Sequence, residues 1–287
     1  MRTKKLPGLL LILIVYIIAV VIGALVFNAL WREHLLLRII LADVCATTFV
    51  YLSGVILKNT TVYDPYWSVA PMVILSGLVF YFGKINAGII LLLLAVFYWG
   101  IRLTANWAYT FRNLDTQDWR YDMFKKRFPR LFQLISYLGI NMFPTIVVYL
   151  AILPAVYFIE TSTINVITVL GFIICAGSAT IQLFADNQMH RFKKTNTDSA
   201  LIIRTGLWKY SRHPNYLGEI TMWWGVYIMM LSSLPNLWYF GIGAIVNTLM
   251  FLFISIPMAD NRNKTIRKDF DQYKKETRNL LPLKKLI

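Results

Sequence analysis

The chain has 287 residues, of which 57% are hydrophobic and only 15% charged, with a formal net charge of +15. Soluble globular domains average about 45–50% apolar and about 25% charged residues, so an ordinary soluble domain, a disordered chain and a disulfide scaffold are excluded. The composition is that of a multi-pass membrane protein.

About 20 apolar residues carry a helix across a bilayer. That length predicts spans near 7–30, 38–57, 66–83, 86–110, 131–158, 163–185, 215–233 and 236–257. The expected fold is all-α, a polytopic bundle of seven to eight spans forming a single integral-membrane domain. The first run follows Arg2, Lys4 and Lys5 and exceeds the about 7–15 residues of a signal-peptide core, so it reads as a retained span. Cys45 and Cys175 fall inside apolar segments without metal spacing and read as buried structural thiols. With the N-terminus inside, 25 of the 29 Lys and Arg residues fall on inside segments. The positive-inside rule then predicts both termini in the cytoplasm, an even number of spans, and a basic charge directed at membrane lipids rather than nucleic acid.

Polar motifs interrupt this apolar plan, mostly on the inside. In Thr61-Val-Tyr-Asp-Pro-Tyr-Trp67, Asp64 reads as a cap and Pro65 as the first residue of the third span. Residues 111–130 carry Arg112, Gln117-Asp-Trp-Arg-Tyr121 and the basic run Lys125-Lys126-Arg127. The run suits anionic lipid, whereas Arg120 between two aromatics suits a phosphate and a stacked base. Gln182, Asp186, His190 and Lys193 recur at helical spacing as one polar stripe that continues an apolar span.

The densest segment is Gly206-Leu-Trp-Lys-Tyr-Ser-Arg-His-Pro-Asn-Tyr-Leu-Gly-Glu219, followed by Trp223-Trp224-Gly225. Pro214 suits a first helical turn, which places Asn215 and Glu219 on one face with Arg212 and His213 just outside. An acid where the chain enters the membrane is expected to face a cavity or a partner. The tail runs from Asp260-Asn-Arg262 to Tyr273 and Leu280-Leu-Pro282; its basic charge by itself suits contact with lipid. No G-x-G-x-x-G, G-x-x-x-x-G-K-[ST] or G-x-S-x-G occurs, and His34, His190 and His213 make no metal spacing.

The Gly206–Glu219 segment with Trp223-Trp224-Gly225 resembles the signature of the steroid 5-alpha-reductase C-terminal family. Gln117–Tyr121, Phe184-Ala-Asp186-x-Gln188 and the run from Tyr273 to Pro282 match, in order and spacing, its bacterial branch of membrane proteins of unknown function. The resemblance spans roughly residues 60–285 and is densest in the last hundred. It implies an NADPH-dependent reduction of a carbon–carbon double bond in a lipid or steroid-like substrate, at the cytoplasmic face of a bacterial membrane. It also implies a cofactor-binding part over 111–287, with 1–110 toward the substrate. Residue by residue, it places cofactor contacts on Gln182, Asp186, Asn215, Arg262 and Tyr273, with Glu219 one turn after Asn215. The phosphates would face basic loops that include Arg112, Arg120, Lys193, Arg204 and Arg212, with His213 and Tyr216 beside them. One departure stands out. The family's tyrosine three residues before Arg102 is Trp99 here, with Tyr98 beside it, and Asp64 replaces an expected glutamate as the nearest acid. Tyr98, Asp64 and Glu219 are therefore the candidate catalytic groups, with Tyr66 and Tyr216 as further proton donors. The alternative is an S-adenosylmethionine-dependent methyltransferase of the isoprenylcysteine or phospholipid type. His213-Pro-Asn-Tyr-Leu-Gly218 fits that class, but Ala259-Asp260-Asn261 stands where it carries a Glu-Glu pair.

Overall fold

The computed structural model describes residues 4–281; Arg2, Pro282, Lys284 and Lys285 lie outside the described residues. The elements are helical: α1 Lys5–Ala29, α2 Leu35–Ile56, α3 Tyr66–Phe82, α4 Ala87–Thr110, α5 Trp119–Arg127, α6 Phe132–Ile135, α7 Phe143–Thr161, α8 Val166–Thr195, α9 Pro214–Leu231, α10 Ile242–Met250, α11 Ile256–Ile266 and α12 Phe270–Glu276. π-helical turns at Ser136–Met142 and Phe251–Ser255 join α6 to α7 and α10 to α11. Among the described residues no strand forms, and one parallel bridge pairs Ser211 with Arg278.

Seven helical stretches are long and apolar enough to cross a bilayer, from Lys5–Ala29 through Pro235–Ile266. This is a multi-pass membrane protein. The segment expected near 215–233 does fold, as α9, but it is not among the seven, because its Asn215, Glu219, Thr221 and paired tryptophans lower its hydropathy. Two local expectations need correction. Cys45 is exposed on α2, and only Cys175 is a buried thiol. Asp64 does not cap α3: its carboxylate accepts from the Tyr121 hydroxyl, and Pro65 lies just before the helix, its carbonyl taking the amide of Val69 at 3.2 Å.

The chain divides into two compact units. The first takes the chain through Tyr81 and Leu103–Tyr149. In it α1 packs on α2, and a core of Ile12, Val15, Val50 and Val62 encloses several tyrosines. Their hydroxyls are all spent locally. Tyr16 donates to Val62 O at 2.7 Å, Tyr63 pairs with Thr145 at 2.8 Å, and Tyr66 donates to Asp43 at 2.9 Å. Burial pushes the Tyr121 phenol well above its usual range, so it stays a donor to Asp64.

The second unit takes Phe82–Arg102 and the chain from Leu150. Its axis is the pair α8 and α9. Asn165 starts α8 with a capping box, its Oδ1 accepting from Thr168 N at 3.0 Å while Thr168 Oγ1 accepts from Asn165 N at 3.2 Å. Asn165 also donates to Ser232 O at 2.9 Å, which ties the start of α8 to the end of α9. Between those ends the helices touch through glycine. A methyl group on Gly171 would stand 2.6 Å from Met229 Cγ and 2.8 Å from Gly225 O, and one on Gly218 would stand 2.6 Å from Ser178 O. Small residues of this kind let helix backbones approach closely in a membrane. Gly177 lies on the same helix and faces open space. Gly171→Ala is therefore expected to lower the detergent-phase melting temperature by the equivalent of about 1–3 kcal/mol of overpacking. Gly177→Ala should be neutral or stabilising, since alanine is the better helix former. Equal melting of the two variants would contradict the close approach.

Candidate functional site

The site in the second unit grows from one residue, Arg102, late in α4 and buried to 7% exposure. A charge at this depth requires partners, and α8 supplies them. Arg102 Nη1 meets Asp186 Oδ2 at 2.8 Å, and Nη2 donates to Gln182 Oε1. Gln182 and Asp186 are one turn apart, so one guanidinium spans both. The Gln182 amide then faces its NH2 the other way, to Glu219 Oε2 on α9 at 3.2 Å.

Glu219 is the second centre. It accepts from Trp99 Nε1 at 2.8 Å, Trp223 Nε1 at 3.1 Å and Gln182. Indole nitrogens only donate, so both carboxylate oxygens act as acceptors. The two indoles meet edge to face with centroids 5.0 Å apart. Trp99, Gln182 and Trp223 are each almost completely buried. The departure at Trp99 thus has a local reason: the indole N–H serves the carboxylate of α9. Two acids share one Arg, and His190 and Lys193, further along the α8 stripe, are close enough to act on Asp186 electrostatically. Tyr98 stands beside this network, half-exposed, with its hydroxyl 3.1 Å from Thr180 Oγ1.

A second network closes the loop ahead of α9. Gly206 has φ +59, a conformation suited to glycine, and a side chain there would meet the Gln188 amide that accepts from Leu207 N at 2.9 Å. Trp208 Nε1 donates to Ala185 O at 3.0 Å. Pro214 opens α9 as expected. Arg212 and His213, both buried, converge on Asp260 at 2.9 Å each. Arg212 also donates to Thr277 O at 2.6 Å, while the amides of Arg212 and His213 pair with Arg278 O and Asn279 O. The tail is therefore folded onto the loop. Tyr273 is buried within it and donates to Trp208 O, and burial raises its phenol above the usual range. Arg204 pairs with Glu276 at 3.0 Å and lies over the Tyr273 ring.

The structure thus gathers Gln182, Asp186 and Glu219 into one network, and Arg212, His213 and Tyr273 into another. Tyr216 stacks on His213 with rings 5.2 Å apart and nearly parallel, while Asn215 accepts from the amide of Tyr216. Lys193 lies close enough to Arg262 and Arg267 to be repelled by both. Asp64, Arg112 and Arg120 belong to the first unit: Asp64 is bonded to Tyr121, Arg112 is exposed, and Arg120 is paired with Asp118 at 2.7 Å. Sequence reasoning missed Trp99 as a ligand of Glu219, Arg102 as the partner of Asp186, and Asp260 as the hub of the tail. It also missed Asp43, a buried acid on α2 bonded to Tyr66. The available signal was the presence of ionisable residues inside apolar spans, which require partners.

Fold and site define a polytopic helical membrane protein with a buried Arg–carboxylate–tryptophan network and a basic, tail-closed loop. Residues 50–277 match the family described as "Protein of unknown function (DUF1295)", and the chain belongs to that family. No curated protein and no solved structure matches the chain.

Glu219→Gln turns an NH2 toward one of three donors and removes a negative charge that faces Arg102. It is expected to lower the detergent-phase stability by about 1–3 kcal/mol, the cost of a buried group left unsatisfied. Trp223→Phe, which leaves Glu219 two donors, should cost less. A Glu219→Gln protein that melts with the wild type would contradict the network.

Proposed function

We propose that this protein is a membrane-embedded reductase that uses NADPH, working from the cytoplasmic face on a carbon–carbon double bond of a lipid or steroid-like substrate. The observation that carries the reading is that Lys193, in the polar stripe of α8, lies within electrostatic reach of Arg262 and Arg267. Cations within reach of one another favour a polyanion between them. The dinucleotide carries phosphates and S-adenosylmethionine carries none, which favours the reductase over the methyltransferase. A small cavity nearby is lined by Arg212, His213 and Arg267 together with Asp260, over an apolar floor of Met189, Phe192 and Trp208. An orphaned Nε on buried Arg212 adds a donor without a partner among the described residues.

On this reading Lys193, Arg262 and Arg267 bind the phosphates, with Arg204, Arg212, His213, Asn215, Tyr216 and Tyr273 shaping the loop around the cofactor. When bound, the cofactor supplies a hydride to the substrate carbon. Asp186 and Glu219 both face Arg102, with Gln182 held between them. Both Glu219 oxygens are already engaged, so its share is to position Gln182 and the indoles. Tyr98, with an exposed hydroxyl on α4, is the proton donor of this account.

The test is ligand-induced thermal shift of the purified protein with NADPH, NADH and S-adenosylmethionine, since binding to the folded state alone raises apparent stability. NADPH is expected to give the largest shift. Lys193→Gln combined with Arg262→Gln should weaken NADPH at least tenfold, about 1.4 kcal/mol, without lowering the stability of the ligand-free protein. A shift by S-adenosylmethionine alone would overturn the reading in favour of the methyltransferase.

A further inference from the structure

The first unit contains a cavity of about 150 Å³ where α2 ends and the span beginning at Phe132 starts. Two apolar spans lead away from it, so it lies at a membrane boundary. Lys58 and Lys125 stand at it, and neither Asp nor Glu lines it. Lys58 has φ +54, the left-handed conformation that follows a helix end and that glycine adopts most readily. A long cationic side chain is held there instead. Lys125 comes from α5, whose basic end the sequence directs at lipid.

The wall is built on the π-helical turn Ser136–Met142, an irregularity that recurs at functional sites. Asn141 in that turn is 1% exposed and lines the cavity. Its Nδ2 donates to Ser136 O at 2.7 Å, which fixes the amide orientation and leaves Oδ1 buried without a partner among the described residues. A buried acceptor of this kind calls for a donor from a ligand. Val50, Val55 and Phe132 supply the apolar part of the lining.

We infer that this cavity binds the headgroup of an anionic glycerophospholipid that carries a free hydroxyl. The phosphate lies with Lys58 and Lys125, the headgroup hydroxyl donates to Asn141 Oδ1, and the acyl chains follow the spans. An ammonium headgroup brings a positive charge toward two lysines, and a choline headgroup has no hydrogen to donate. The phosphoglycerol headgroup meets both requirements. This site is independent of the proposed reductase site and stands or falls separately.

The experiment titrates the full-length protein in neutral detergent with short-chain phosphatidylglycerol, phosphatidylethanolamine and phosphatidylcholine, and with glycerol phosphate and inorganic phosphate, read by native mass spectrometry and thermal shift. Phosphatidylglycerol is expected to bind at least tenfold more tightly than the other two lipids. Lys58→Gly with Lys125→Gln should remove that preference, and Lys58→Gly keeps the fold because it relaxes the backbone. Lys126→Gln, in the same basic run but not lining the cavity, should lower binding far less than the Lys58→Gly, Lys125→Gln pair. Equal affinity for the three lipids, or an equal loss with Lys126→Gln, would overturn the site as diffuse attraction. Binding of glycerol phosphate or inorganic phosphate as tight as the lipid would overturn the lipid assignment in favour of a soluble anion.

Discussion

A guanidinium inside a membrane-spanning helix is costly, about 2.5–3.5 kcal/mol at the helix centre on insertion scales, and Arg102 organises the second unit around that cost. Its hydrogen-bonding partners come from another helix. Gln182 and Asp186 fill that need one turn apart on α8, and the Gln182 amide passes the interaction to Glu219 on α9. The glutamate in turn takes the N–H groups of Trp99 and Trp223. Three helices are thereby fixed in register by one charge, and the glycines of α8 and α9 permit the distance.

The same logic closes the loop ahead of α9. Asp260 gathers Arg212 and His213, and the carbonyls of Thr277, Arg278 and Asn279 take further donors of that short segment. A loop so thoroughly hydrogen-bonded is rigid, and rigidity is what a cofactor site needs, since a loose site spends binding energy on ordering itself. Lys193, Arg262 and Arg267 are the cations the proposed reductase reading assigns to phosphate.

The membrane spans were legible because hydropathy over about 20 residues is a strong signal. Helix α9 was legible as a helix through Pro214, yet its polar content left its crossing ambiguous. Gln182, Asp186, Glu219, Arg212 and His213, which the structure joins into polar networks, were marked by helical spacing and resemblance. Trp99, Arg102 and Asp260 were not, since their meaning lies in partners 47 to 120 residues away, which no local pattern encodes. The tail's docking was not legible either, because its charge dominates the sequence while few buried groups, Phe270, Tyr273 and Thr277, carry the docking.

The central claim is that Arg102 and Asp186 form a coupled pair within that network, and a double-mutant cycle measures it most directly. Arg102→Met, Asp186→Leu and the double variant would be compared with the wild type by reversible unfolding in one detergent. The account predicts that the two single changes together cost at least about 1 kcal/mol more than the double change, because each strands its partner. Strict additivity of the two would contradict it.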